Sequence, residues 1–382
     1  MKEWLALLGS TGSIGEQTLD VVRSSDGRFS IAVLTANRNW ERLAEQAREF
    51  NPDIVVIADE RWYGDLKAAL ADLPIKVYAG IDAISQVVSG EGIDVVVNAL
   101  VGYAGMMPSY EAVRSGKKLA LANKESLVVA GSIIMDTARE NNAPVIPIDS
   151  EHSAIFQSMV GEYSPVRRLI LTASGGPFRN TPYSELAGVT VGQALNHPNW
   201  SMGAKITVDS ATMVNKGFEV IEARWLFGLP GDRIDVLVHP QSIVHSMVEF
   251  EDGAIKAQLG TADMRLPIQY ALTFPFRSGC KGERFDFIKN PTLTFEPVDR
   301  DKFPALDIAY GCLRKGGNAA CIMNASNEVA VEAFLRGRIG YKDIVRVIEK
   351  SLASSAFIAE PTLQDFAECN GEVRRIAESF IA

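Results

Sequence analysis

Residues 4–15, WLALLGSTGSIG, end a five-residue apolar run in three glycines spaced three apart and pass directly into Ile14, Leu19 and Val22, which recur at helical spacing. A strand, a glycine turn and a helix in immediate succession make the phosphate-binding turn of a doubly wound α/β domain. The glycines let the backbone approach a pyrophosphate, and the helix N-terminus supplies the partial positive charge that meets it. The spacing Gly9-x-x-Gly12-x-x-Gly15 differs from the standard G-x-G-x-x-G, so its place between strand and helix carries the reading more than the pattern does. Outward from this turn, apolar runs at 31–34, 53–57, 94–99, 118–122 and 145–148 alternate with amphipathic stretches such as Leu43, Ala47 and Phe50. Runs of Val and Ile separated by helices predict a parallel sheet buried on both faces, a Rossmann-like domain over 1–149.

The end of the second strand chooses the dinucleotide. An NAD site offers an acid to the adenosine ribose, whereas Thr35-Ala36-Asn37-Arg38-Asn39 offers no acid and one cation. Arg38 suits the additional 2′-phosphate, and NADPH is the expected cofactor.

Pro147-Ile148-Asp149-Ser150-Glu151-His152-Ser153 places two carboxylates two residues apart at the end of the last of these strands. Downstream, 207–219 reads TVDSATMVNKGFE and adds a third carboxylate, Glu219, beside an amide and a lysine. Three acids with no histidine or cysteine among them describe an oxygen-ligand site for a hard divalent cation, Mg²⁺ or Mn²⁺. The competing reading makes Asp149 and Glu151 helix caps and leaves Glu219 on a solvated helix face.

Beyond Glu151 the texture becomes α+β. A strand is expected at 167–172, a polar loop reaches His197-Pro198-Asn199-Trp200-Ser201-Met202-Gly203, and one helix is expected over 211–227. Runs 243–250 and 254–259, joined through Asp252-Gly253, predict a hairpin. A Pro-, Phe- and Arg-rich linker covers 273–303, and helical spacing of Ala, Leu and Ile from 304 to 382 predicts a C-terminal helical bundle. The catalytic domain then occupies 150–272.

Lys plus Arg number 38 and Asp plus Glu 47, a net charge of −9, which argues against a nucleic-acid binder, so that an anionic ligand needs local donors. Cys280, Cys312, Cys321 and Cys369 show no Cys-x-x-Cys spacing and read as reduced thiols. The first apolar run is too short for a signal sequence, and no apolar stretch approaches the roughly 18 residues of a membrane span. A soluble cytoplasmic protein is expected.

The glycine turn together with LANKESLV (121–128), PIDSEHSAIFQ (147–157), LTASGGPF (171–178), HPNWSMGAKITVDSATMVNKGFEVIEA (197–223), ADMRLPIQYAL (262–272) and NASNEVAVEAF (324–334) resembles the 1-deoxy-D-xylulose 5-phosphate reductoisomerase family over essentially the whole chain. The resemblance implies a homodimer, dimerising through 150–272, on the methylerythritol phosphate route to isoprenoids, acting on a small phosphorylated sugar. It puts the divalent ion on Asp149, Glu151 and Glu219, in agreement with the residues themselves. Lys124 and Ser150, with Glu151 and Glu219, meet the substrate's polar backbone, and Ser174, His197, Ser210, Asn215 and Lys216 hold its phosphate. Thr11, Gly12, Ser13, Ile14, Asn37, Arg38, Asn39, Asn123, Glu125 and Gly203 touch the cofactor, and Lys124, Glu151, His197 and Glu219 take the catalytic roles. Asn37 stands where many members have a small residue, and Arg38 where lysine is common.

The implied rearrangement forms an enolate between two bond-making steps, which a Lewis-acidic cation stabilises. Trp200 and Met202, large apolar side chains in a polar loop hinged at Gly203, are expected to cover bound substrate. His152 is expected behind the metal ligands, and His239 and His245 read as structural. A semialdehyde dehydrogenase would need a nucleophilic cysteine near the cofactor, yet the first cysteine is Cys280. A non-catalytic NADPH sensor would have no use for three carboxylates and a phosphate cradle.

Overall fold

The computed structural model describes residues 2–381; Met1 and Ala382, the outer bounds of the first and last expected domains, lie outside the described residues. The chain forms two compact units. The first takes the chain up to Ser126, Ser132–Ser153 and Asp263–Glu283, and the second takes Leu127–Gly131, Ala154–Ala262 and the chain from Arg284 on.

In the first unit seven strands, β1 (Glu3–Leu8), β2 (Phe29–Ala36), β3 (Ile54–Ile57), β4 (Lys76–Ala79), β5 (Val95–Asn98), β6 (Lys118–Leu121) and β7 (Val145–Pro147), form one parallel sheet in the order β4-β3-β2-β1-β5-β6-β7. Leu5 to Leu8 and Val95 to Val97 are fully buried, as strands covered on both faces must be. The strand order reverses between β1 and β5, and ligands of doubly wound sheets bind at the carboxyl ends beside such a reversal. Six of these strands follow the sequence expectation; β4 does not. It is a short edge strand whose residues alternate between exposed and half-buried, so it lacks the apolar run that marks its neighbours. Helix Arg265–Thr273 packs against helix Ser13–Arg23, and its Leu272 carbonyl accepts from Lys118 Nζ at 2.9 Å.

The glycine turn is built for close approach. Gly9 has φ +80°, and a Cβ there would lie 2.8 Å from the Ala99 carbonyl oxygen; a Cβ on Gly15 would lie 2.3 Å from the Gly9 carbonyl oxygen. Gly12 differs, for its Cβ would meet only Gly9 O, at 3.5 Å. Gly15→Ala is therefore expected to cost about 1–3 kcal/mol of stability through overpacking. Gly12→Ala should leave the melting temperature near wild type and weaken NADPH, because the added methyl would enter the space in which the turn is expected to receive the pyrophosphate. Thermal melts and cofactor titration of both variants check this pair.

The second unit holds five strands, β8 (Val166–Ala173), β9 (Ile234–Val238), β10 (Val244–Phe250), β11 (Ile255–Leu259) and β12 (Glu296–Pro297), in the order β11-β10-β8-β9-β12. β8 and β9 are parallel and the remaining pairs antiparallel, with β10 and β11 forming the expected hairpin. β9 and β12 were not expected: β9 is five residues long, and β12 is a two-residue edge contributed by the linker.

The single helix expected over 211–227 is corrected. Two helices, Ala204–Thr212 and Val214–Phe227, meet at Met213, which adopts the left-handed conformation (φ 61°, ψ 10°) and is buried. Neither Gly nor Pro marks this break, and an apolar Met213 preserves the periodicity across it, so the pattern reads straight through. The C-terminal part forms the expected helices, Ala305–Lys315, Ala319–Leu335, Tyr341–Ser354 and Leu363–Ser379, packed around Phe218, Ile221, Met323, Phe334 and Ile344. Among the described residues no helix is long and apolar enough to cross a membrane.

Candidate active site

In the first unit the turn after β1 is braced from beneath. The Ser10 amide donates to Thr35 O at 2.8 Å, Ser10 Oγ to Gln46 Oε1 at 2.6 Å, and Gln46 Nε2 donates back to Ser10 O at 3.0 Å. Thr11, Gly12, Ser13 and Ile14 remain at least partly exposed above this buried bracing. Gly12 is the N-cap of helix Ser13–Arg23 and brings no capping side chain, which leaves the helix N-terminus to an anion.

Past β2, Asn37, Arg38 and Asn39 are exposed. Asn39 Oδ1 accepts the Arg42 amide at 3.2 Å and caps the next helix. Arg38 Nε lies 3.3 Å from Asp59 Oδ2, and Arg61 also binds Asp59. That contact holds the Asp59 carboxyl down at about 2. Sequence reasoning missed Asp59 and Arg61; their place, just past the end of β3 beside β2, is the signal that could have found them.

At the ends of β6 and β7 the sheet presents Lys124 and Asp149, whose Nζ and Oδ2 are 2.7 Å apart. Burial pushes the Asp149 carboxyl up, but the Lys124 ammonium and the contact with His152 outweigh it and hold the group ionised, well below the ordinary carboxylate range. Lys124 is itself buried, and His152 is wholly buried with Nδ1 3.5 Å from Asp149 Oδ2. The Asp149 carboxylate thus faces the Lys124 ammonium. Ser150 Oγ donates to Glu151 Oε2. The Asn123 side chain is committed within the protein: Oδ1 accepts the Ser126 amide, and Nδ2 donates to Leu100 O, Gly102 O and Glu125 Oε2.

In the second unit the chain leaves β8 through Ser174-Gly175-Gly176, with φ +82° and +67° at the two glycines. A Cβ on Gly176 would lie 2.7 Å from Ser210 O, so the turn sits directly on helix Ala204–Thr212. Ser174 Oγ is 3.0 Å from His197 Nε2 and accepts the Gly176 amide at 3.2 Å. His197 Nδ1 accepts the amides of Asn199 and Trp200 at 3.2 and 3.0 Å. An acceptor at Nδ1 puts the proton on Nε2, which donates to Ser174, and burial lowers the imidazole's affinity for a second proton. The Ser174 hydroxyl, its oxygen accepting twice, keeps its own hydrogen for an outside acceptor.

Glu219 is 1% exposed, which removes the reading of a solvated helix face. It accepts from Asn215 Nδ2 at 2.5 Å and from Lys216 Nζ, which also donates to Thr172 O at 2.6 Å. The structure therefore gathers Ser174, His197 and Ser210 at the end of β8, while Asn215 and Lys216 serve Glu219. Gly203 caps helix Ala204–Thr212, and a Cβ there would meet nothing, so its small size answers no packing demand of the protein.

Trp200 is half-buried in its loop, outside the core, with its ring centroid 6.2 Å from that of His245. Trp200→Ala is expected to lower kcat/KM without the roughly 3–5 kcal/mol loss typical of a core tryptophan. Melting and steady-state kinetics on the same variant distinguish the two. Asp149, Glu151 and Glu219 offer only carboxylate oxygens, a donor set that fits Mg²⁺ or Mn²⁺. Cys312, pushed up to about 12 by burial, is no nucleophile.

A family model described as 1-deoxy-D-xylulose 5-phosphate reductoisomerase matches residues 5–131. Models of its C-terminal domains match residues 145–227 and 259–376. A 1-deoxy-D-xylulose 5-phosphate reductoisomerase from Bacteroides thetaiotaomicron is 54% identical over 381 residues, covering 100% of this chain and 98% of that protein; one from Phocaeicola vulgatus is 53% identical over 382 residues, covering 100% of both. The structure of the reductoisomerase from Zymomonas mobilis in complex with NADPH superposes with TM-score 0.92 at 44% identity, covering 100% of this chain and 99% of that one. A DOX-P reductoisomerase bound to NADPH, fosmidomycin and magnesium gives TM-score 0.94 at 39% identity, covering 99% and 98%.

Proposed function

The chain belongs to the 1-deoxy-D-xylulose 5-phosphate reductoisomerase family, and from that membership we propose how its residues divide the work of the family's reaction. The protein isomerises 1-deoxy-D-xylulose 5-phosphate and reduces the product with NADPH to 2-C-methyl-D-erythritol 4-phosphate, with a divalent cation, on the route to isoprenoids. The end-to-end match to the family carries this reading.

Asp149, Glu151 and Glu219 are the residues that would hold the cation, whose chemistry when bound is Lewis-acid stabilisation of developing enolate charge. Lys124 keeps Asp149 ionised and, with Ser150, Glu151 and Glu219, meets the substrate's hydroxyls. Asn215 and Lys216 pair with Glu219 in its buried position; the family pattern also gives them to the substrate phosphate, with Ser210. Ser174 O–H, held in place by His197 Nε2–H, is a donor suited to a phosphate oxygen, and the family pattern gives both residues to that group, so the phosphate would fix the carbon skeleton through binding energy remote from the reacting bonds. Thr11 to Ile14 and the open N-terminus behind Gly12 suit the pyrophosphate, Asn37, Arg38 and Asn39 the adenosine end, and Asn123, Glu125 and Gly203 the rest of the cofactor. Trp200 excludes water from the reacting carbons.

The functional division we assign is 1–149 for NADPH, 150–272 for catalysis and dimerisation, 273–303 as linker and 304–382 as the helical domain. A homodimer is supported by the unpaired edge of β11, with Ile255 53% exposed, and by the linker's exposed Phe287 and Ile288. Four free cysteines suit a reducing cytoplasm. The carboxylate set accepts Mn²⁺ as well as Mg²⁺. Following NADPH oxidation by the purified protein with 1-deoxy-D-xylulose 5-phosphate, with and without divalent ion, tests the reading; consumption that does not depend on the ion would overturn it.

A further inference from the structure

At the ends of β2 and β3 two guanidinium groups converge on one carboxylate. Asp59 Oδ1 accepts Arg61 Nε at 2.8 Å and Oδ2 accepts Arg61 Nη2 at 2.5 Å, while Arg38 Nε lies 3.3 Å from the same Oδ2. The Asp59 amide donates to Asn37 O at 3.0 Å, so backbone hydrogen bonding fixes the spacing of the two loops. The Arg38 and Arg61 side chains are 70% and 73% exposed, and that of Asp59 is 13% exposed.

The arrangement is unequal. Arg61 gives one whole edge of its guanidinium to Asp59, a bidentate pair, whereas Arg38 offers Asp59 only Nε and retains its terminal nitrogens for another acceptor. An Asp59 carboxylate with Arg38 as its sole partner would draw Arg38 inward and repel a phosphate arriving beside it. With Arg61 in place the three groups sum to one positive charge.

We propose that Arg61 is a positioning residue for NADPH selectivity: it neutralises Asp59, which orients Arg38 through Nε, and so leaves the Arg38 charge to the cofactor's 2′-phosphate. The inference rests on the reading that Arg38 meets that phosphate. Because both guanidinium groups face solvent, the expected effect is modest, roughly three- to tenfold.

The test uses the full chain, with NADPH and NADH as probes in equilibrium titration and steady-state kinetics. Arg61→Ala should weaken NADPH by that factor and leave NADH unchanged, with the effect in Kd and KM and not in kcat, and Arg61→Lys should recover part of the loss. In an Asp59→Asn background the Arg61→Ala loss should vanish, since no carboxylate remains to neutralise. An Arg61→Ala variant with an unchanged NADPH/NADH ratio, in a protein whose Arg38→Ala variant loses that ratio, overturns this inference alone. A loss that persists in the Asp59→Asn background also overturns it, by showing direct contact. An unchanged ratio in Arg38→Ala would remove the underlying reading as well.

Discussion

Glu219→Gln should lower turnover by at least about 100-fold while leaving NADPH affinity near wild type. Gln keeps the shape of Glu219 and can still accept from Asn215 Nδ2, so hydrogen bonding to its neighbour survives and the lost quantity is the charge of an anionic ligand. Asp149→Asn and Glu151→Gln should behave alike, since each removes one charged oxygen from the proposed set. Isothermal titration of Mg²⁺ or Mn²⁺ and of NADPH into each variant separates metal from cofactor. Unchanged ion affinity in any one of the three would remove that residue from the set.

Lys216→Ala carries the second large effect, and it falls on stability as well as on rate. Lys216 is 4% exposed and Glu219 1%, and the two are joined directly. Removing one member of a buried pair strands the other charge, which costs about 3–5 kcal/mol. Asn215 would remain as a partner of Glu219, and the Thr172 carbonyl would lose a donor. The double variant Lys216→Ala with Glu219→Gln should recover part of that loss, because no stranded charge remains. Equal melting temperatures for wild type and Lys216→Ala would show that the pair contributes nothing to folding. Should Lys216 act only on Glu219, the KM for substrate would rise no more in Lys216→Ala than in Glu219→Gln, whereas a direct contact with phosphate adds its own increase.

The candidate site was legible to unequal depth. Gly9, Gly12 and Gly15 could be read as a phosphate turn because every partner lies within a few residues and the flanking strand and helix announce themselves. Their separate duties could not: Gly15 serves packing against Gly9 and Gly12 does not, a difference that depends on which atoms the fold brings near. Asp149, Glu151 and Glu219 stood out by residue type, but the sequence left a solvated Glu219 open until the fold buried it. Asp59 and Arg61 escaped notice because an acid followed by a basic residue on an exposed turn has no pattern of its own. What distinguishes them is the parallel register of β2 and β3, which sets Asp59 beside Arg38 across 21 residues of chain.

By itself the sequence determined the parallel sheet, the glycine turn between the first strand and helix, the hairpin and the helical C-terminal part, because buried strands, turn glycines and helical faces write their periodicity into neighbouring positions. Only the tertiary structure decided the edge strands β4 and β12, which are too exposed or too short to carry a pattern, the inner strand β9 between β8 and β12, and the break at Met213, where an apolar residue keeps the period across a reversal of φ. The protonation of His197 was decided there too. Its tautomer follows from two loop amides at Nδ1 and a serine 23 residues away at Nε2. Hydrogen bonds between distant residues depend on where the chain returns in space, and periodicity along the chain carries no record of that.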